Sequence, residues 1–170
     1  MASLMEELLE VLGEEEKQYK ALIELGGVKR DAIIKADIQE LGKVTTQEQD
    51  AASVLLNLSN KRTRVLNDMA TVLGKEPGDM TINKMIGYLE RQPEEQKLLS
   101  ERRDRLLETG TQMRIVNQQN EELLKRALEM VEFDLTLLRS MRQAPETANY
   151  DRNAYNTGDL LGSSGFDAKR

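Results

Sequence analysis

Met113-Arg114-Ile115-Val116-Asn117-Gln118-Gln119-Asn120-Glu121-Glu122-Leu123-Leu124 sets apolar residues at Met113, Val116 and Leu124, with Asn120 in the same register. Steps of three and four put these side chains on one face of an α-helix, because 3.6 residues complete a turn. Followed in both directions, the seam reads Leu99, Leu106, Met113, Val116, Asn120, Leu124, Ala127, Val131, Leu135, Leu138 and Met141, a heptad-like progression. A single helix over 94–141 is predicted, about 70 Å long at 1.5 Å per residue. Pro93 stands at its first position, and Glu94 and Glu95 favour the positive end of its dipole.

Such a helix needs partners, and the preceding sequence supplies two. Leu4, Leu8, Val11, Leu12, Tyr19, Leu22 and Ile33 form one stripe over 3–35, with Ser3 and Glu6 spaced as a capping box at its start. Asp37 and Glu40 form a second capping box and predict a tight reversal into an antiparallel helix over 38–73. That helix carries Ile38, Leu41, Val44, Ala51, Leu55, Leu58, Val65, Met69 and Leu73, and Gly74 is placed to end it. Lys75-Glu76-Pro77-Gly78-Asp79 is turn chemistry. Thr81 then caps a short helix over 81–90 whose apolar edge is Ile82, Met85, Ile86 and Leu89. The fold class expected is all-α, an antiparallel bundle of long helices over 1–142, resembling a coiled-coil hairpin. The first two helices, at about 48 and 54 Å, are shorter than the last, so part of the last is left without cover.

Within the first helix, Gly26-Gly27 is a weak spot of about 1 kcal/mol per glycine relative to alanine. It reads as close approach of a neighbouring helix or a bend, or else as a hinge. Asn117 and Asn120 lie at or beside the seam, where a polar residue either pins helix register or touches a partner. After Met141 the composition changes. Residues 143–170 hold Pro145, Gly158, Gly162 and Gly165 but also Tyr150, Tyr155, Leu160, Leu161 and Phe166, and read as a flexible tail, either inert or a short binding segment.

Among the 170 residues there is no cysteine, histidine or tryptophan, and only four tyrosines and two phenylalanines. This removes thiol nucleophiles, imidazole bases, zinc fingers and disulfides, and the chain shows no phosphate loop or nucleophile elbow. No catalytic residue, metal or cofactor is expected. A net charge of −6 gives no attraction to nucleic acid or anionic lipid, and no apolar run approaches the length that spans a bilayer, so the chain reads as cytoplasmic with no stable membrane insertion. Arg102, Arg103 and Arg105 are interleaved with Glu101, Asp104 and Glu108, an ion-paired face. Glu6-Glu7, Glu14-Glu15-Glu16 and Glu121-Glu122 read as ordinary helix surface. Met113, Met130 and Met141 either fill a core or line an adaptable groove for an amphipathic helix.

Several of these fragments together resemble the FlgN-type flagellar export chaperones. They are Leu8-Leu9-x-x-Leu12 with Glu15-x-x-x-Tyr19-x-x-Leu22, then Lys29-Arg30-x-Ala32-Ile33-Ile34-x-x-Asp37-x-x-x-Leu41 and Glu48 with Leu55-x-x-Leu58-x-x-x-Arg62. Most telling is Met113-Arg114-x-Val116-Asn117-x-x-Asn120-x-x-Leu123-Leu124, with Asn149-Tyr150-Asp151 and Phe166-Asp167-Ala168-Lys169 in the tail. The resemblance implies a cytosolic monomer or weak homodimer. It implies binding to the terminal helices of the hook-filament junction proteins FlgK and FlgL, which are kept from polymerising and handed to the flagellar type III export gate. It places the client on Asn117, Asn120, Leu123, Leu124, Leu128, Val131, Leu135 and Leu138, and makes Tyr150 a candidate contact to the gate. The alternative class is a self-associating structural coiled coil.

Overall fold

In a computed structural model of the chain, the backbone of residues 1–164 and the side chains of 1–142 are described. The side chains of 143–170, that of Tyr150 among them, and the backbone of 165–170 lie outside the described residues, and with them the reading of the tail as a binding segment. The described residues form four helices, α1 (Ala2–Lys35), α2 (Ile38–Val72), α3 (Ile82–Tyr88) and α4 (Pro93–Ser164), and no strand. The all-α architecture of long packed helices agrees with the sequence pattern.

Local chemistry explains most boundaries. Asp37 caps α2, its Oδ1 accepting from the Glu40 amide at 3.0 Å. Thr81 caps α3 by accepting from the Lys84 amide at 3.2 Å. Both α1 and α2 end in the same backbone motif, in which two amides turn back onto carbonyls of the last turn. In α1 these are Asp37 N to Ala32 O at 2.9 Å and Ala36 N to Ile33 O at 3.1 Å. In α2 they are Lys75 N to Ala70 O at 2.8 Å and Gly74 N to Thr71 O at 3.0 Å. The motif requires a left-handed residue. Gly74 supplies it at φ 66°, and in α1 Ala36 takes it at φ 53°.

Two expected ends are corrected. The Ser3 capping box is absent: α1 begins at Ala2 with Met1 at the cap position and no side-chain cap. Met1 packs half-buried against the core, and that contact carries the helix back past Ser3. At the other terminus, the α4 backbone does not stop at Met141 but continues to Ser164. Helix hydrogen bonds close within the segment itself, so a stretch with little to bury can still be helical.

The chain divides into two units, Met1–Leu124 and Lys125–Arg170. In the first, all four helices contribute to one core. Met5, Leu8 and Leu12 of α1 meet Val65, Leu66 and Met69 of α2, Met85 and Leu89 at α3, and Leu99 and Leu106 of α4. Toward the α1–α2 turn the interior narrows to small and branched residues, Ala32, Ile33, Val44 and Ala51. The second unit is the continuation of α4.

Candidate partner-binding surfaces

About three-quarters of the way along α1, at Gly26, α4 comes close. Gly26 is buried, and a Cβ built on it would collide with Val116 Cγ1. The same approach lets Asn120 Nδ2 donate to the Gly26 carbonyl oxygen at 2.8 Å, with Asn120 only 4% exposed. Gly27 has nothing within 4 Å of its would-be Cβ. Of the readings open for this pair, close helix approach is therefore the one observed at Gly26. Asn120 is the register pin, its amide engaged inside the bundle.

A second polar tie joins α1 and α2. Glu15 is 1% exposed, and Arg62 Nη1 lies 2.7 Å from both of its carboxylate oxygens. Burial pushes the Glu15 carboxyl above its ordinary value, an effect that the Arg62 charge and hydrogen bonds only partly offset. The reading of Glu14-Glu15-Glu16 as plain surface is thus corrected for its middle member. Glu14 is exposed as expected, whereas Glu16 is half-buried and pairs with the exposed Lys20 at 2.8 Å. Arg62 also lines a groove of about 510 Å³ within the first unit. Its apolar wall is Leu66 of α2, Met80 and Ile82 near the start of α3, and Leu106, Leu107 and Met113 of α4. Arg62, Arg103 and Arg114 supply cationic groups and Asn83 and Asn117 supply amides. Nothing local in the sequence announces this groove, because the turn after Gly74 assembles it from distant segments.

Arg103 in that wall is held by Asp104 at 2.8 Å and donates to Asn83 Oδ1 at 3.0 Å. Among the described residues, the ion-paired reading of the cluster holds for Arg103 alone of the three arginines, and its partner is the adjacent residue, not one a turn away.

The residues expected to hold a client separate into three environments. Asn120 is buried, as described. Leu123 and Leu124 are half-buried, and Asn117 is exposed with its amide 3.0 Å from Met113 Sδ. Leu128, Val131, Leu135 and Leu138 are all open to solvent, on one face of α4 by their 3-4-3 spacing. A second apolar line runs beside them. Met130, Phe133, Leu137 and Met141 are spaced 3-4-4, and together the eight residues are between 48% and 69% exposed. Sequence reading singled out Met130 and Met141 but missed Phe133 and Leu137, although the spacing was there to be read. A helix apolar on more than one face is ordinarily a covered helix. Exposed apolar surface of this kind marks an interaction site.

Among the described residues, no helix is long and apolar enough to cross a membrane, and no group of three or more acidic side chains is set to hold a metal ion. No curated protein and no solved structure matches the chain. The family model described as FlgN protein does match, over residues 1–158, which spans the bundle and nearly all of α4. With nine-tenths of its length inside that match, the chain belongs to the FlgN family of flagellar chaperones.

Proposed function

We propose that the protein is a cytoplasmic chaperone of flagellar type III export, with the terminal helices of the junction proteins FlgK and FlgL as its clients. The observation that carries the reading is the exposed line Leu128, Val131, Leu135 and Leu138 on α4. A client helix whose apolar stripe has no partner before secretion is masked when it packs along that line, in the manner of an amphipathic helix on an apolar face. The interaction needs no chemistry and leaves both helices intact, so the client is released unchanged at the export gate. Tyr150 is the residue proposed to meet the gate.

The double variant Leu128→Asp, Leu135→Asp tests the site. Two carboxylates on the line should abolish copurification with a junction protein while circular dichroism keeps most of the helical signal. Undiminished binding by this variant rules the line out as the client surface. Deleting 149–170 should leave client binding largely intact and impair export. Complete loss of the client would make the deleted stretch part of the client site.

A further inference from the structure

The groove in the first unit and the second apolar line of α4 are complementary. In a chain of net charge −6, the groove is lined by three arginines and by no carboxylate. Arg62 is held by Glu15 and Arg103 by Asp104, whereas Arg114 has no partner among the described residues. Conversely, the segment 128–138 carries Glu129, Glu132 and Asp134 and no cation. At 100° per residue, Met130, Phe133 and Leu137 share a face that Glu129 borders on one side and Asp134 on the other. That face lies apart from the line Leu128, Val131, Leu135 and Leu138.

We propose that the protein self-associates by docking the Met130–Phe133–Leu137 face of one copy into the groove of a second copy, with Arg114 meeting the bordering carboxylates. Phe133, 68% exposed in the single chain, fills the apolar wall formed by Leu66, Met80 and Leu107. Opposite charges at the rim set the orientation, and the buried aromatic supplies most of the affinity. The inference goes beyond the proposed client site, because the docked face is the other one and the client line stays open in the associated form.

Sedimentation of the purified protein alone tests it. Association should rise with concentration, weaken with salt, and weaken by about tenfold or more in Arg114→Glu. Phe133→Asp should abolish association yet retain the client, whereas Leu128→Asp with Leu135→Asp should do the reverse, so failure here is distinct from failure of the client site. Charge exchange guards against simple misfolding. Glu129→Lys with Asp134→Lys, mixed with Arg114→Glu, should associate more strongly than either variant alone. Because the chain has no cysteine, mixing Asn117→Cys with Phe133→Cys should give a disulfide-linked pair on mild oxidation. A protein monomeric at all concentrations overturns the proposal, as does association indifferent to Arg114→Glu. Rapid disulfide closure within a single chain of the double cysteine variant at high dilution also overturns it, in favour of the chain's own segment.

Discussion

Asn120 donates its side-chain amide to the main-chain carbonyl of Gly26, 2.8 Å away and 94 residues earlier in the chain. The bond can form only because Gly26 has no side chain, since a methyl there would strike Val116. Glycine and asparagine are thus one device: the first lets α4 come close, and the second fixes where along α1 it stops.

The neighbouring glycines should accordingly respond in opposite directions to alanine. Gly27→Ala, with open space around it, should stabilise the fold by about 0.5–1 kcal/mol through helix propensity alone. Gly26→Ala should destabilise by about 1–3 kcal/mol through overpacking, despite the same propensity gain. Val116→Ala should recover part of that loss. Urea unfolding of the four proteins checks the signs.

Removing one partner of the Glu15–Arg62 pair strands a buried charge. Arg62→Ala should cost about 3 kcal/mol, because the carboxylate it leaves behind is almost wholly shielded from water. The double variant Glu15→Met, Arg62→Leu should lie within about 1 kcal/mol of the parent, since an apolar pair of similar bulk carries no desolvation penalty. Chemical denaturation of both variants and the parent distinguishes this from a simple loss of packing.

The same carboxyl gives stability a pH dependence of known sign. Its value is raised in the folded chain above the ordinary 4.5, so the folded state binds a proton that the unfolded state has already released. The contribution is therefore complete below the ordinary value and is lost as pH rises through the raised one. Over that window the melting temperature should fall with rising pH more steeply in the parent than in Glu15→Gln. Parallel curves would show that Glu15 titrates alike in both states.

The paired helix ends offer an internal control. Ala36 and Gly74 hold the same left-handed position in the same motif, but alanine bears a steric cost there that glycine does not. Ala36→Gly should stabilise by about 1 kcal/mol, and Gly74→Ala should destabilise by a similar amount. Thermal unfolding of the two variants suffices to compare them.

What could be read in the sequence was what depends on near neighbours. Asp37, Thr81 and Gly74 act over three to five residues, and each does in the structure what its residue type dictates. Asn120 and Gly26 were each legible as unusual, one a polar residue in an apolar seam and the other a glycine in a helix. Their pairing across 94 residues was not. Glu15 was misread beside Glu14 and Glu16, although it occupies the step between Leu12 and Tyr19 where the α1 stripe would otherwise be broken. The groove was invisible because Met80 and Ile82 reach α4 only after the chain has folded back through the turn at 75–80.

Asn120 is also the last buried residue of α4 among the described residues. From Leu128 to Arg142 every residue is exposed, so substitutions there touch no interior and can accumulate without lowering the melting point of the first unit. If the proposed client line is the binding surface, the region that selects the client is free to drift faster than the scaffold that presents it. On that proposal, residues 128–142 can be retuned one at a time to altered client helices, each intermediate remaining a folded protein.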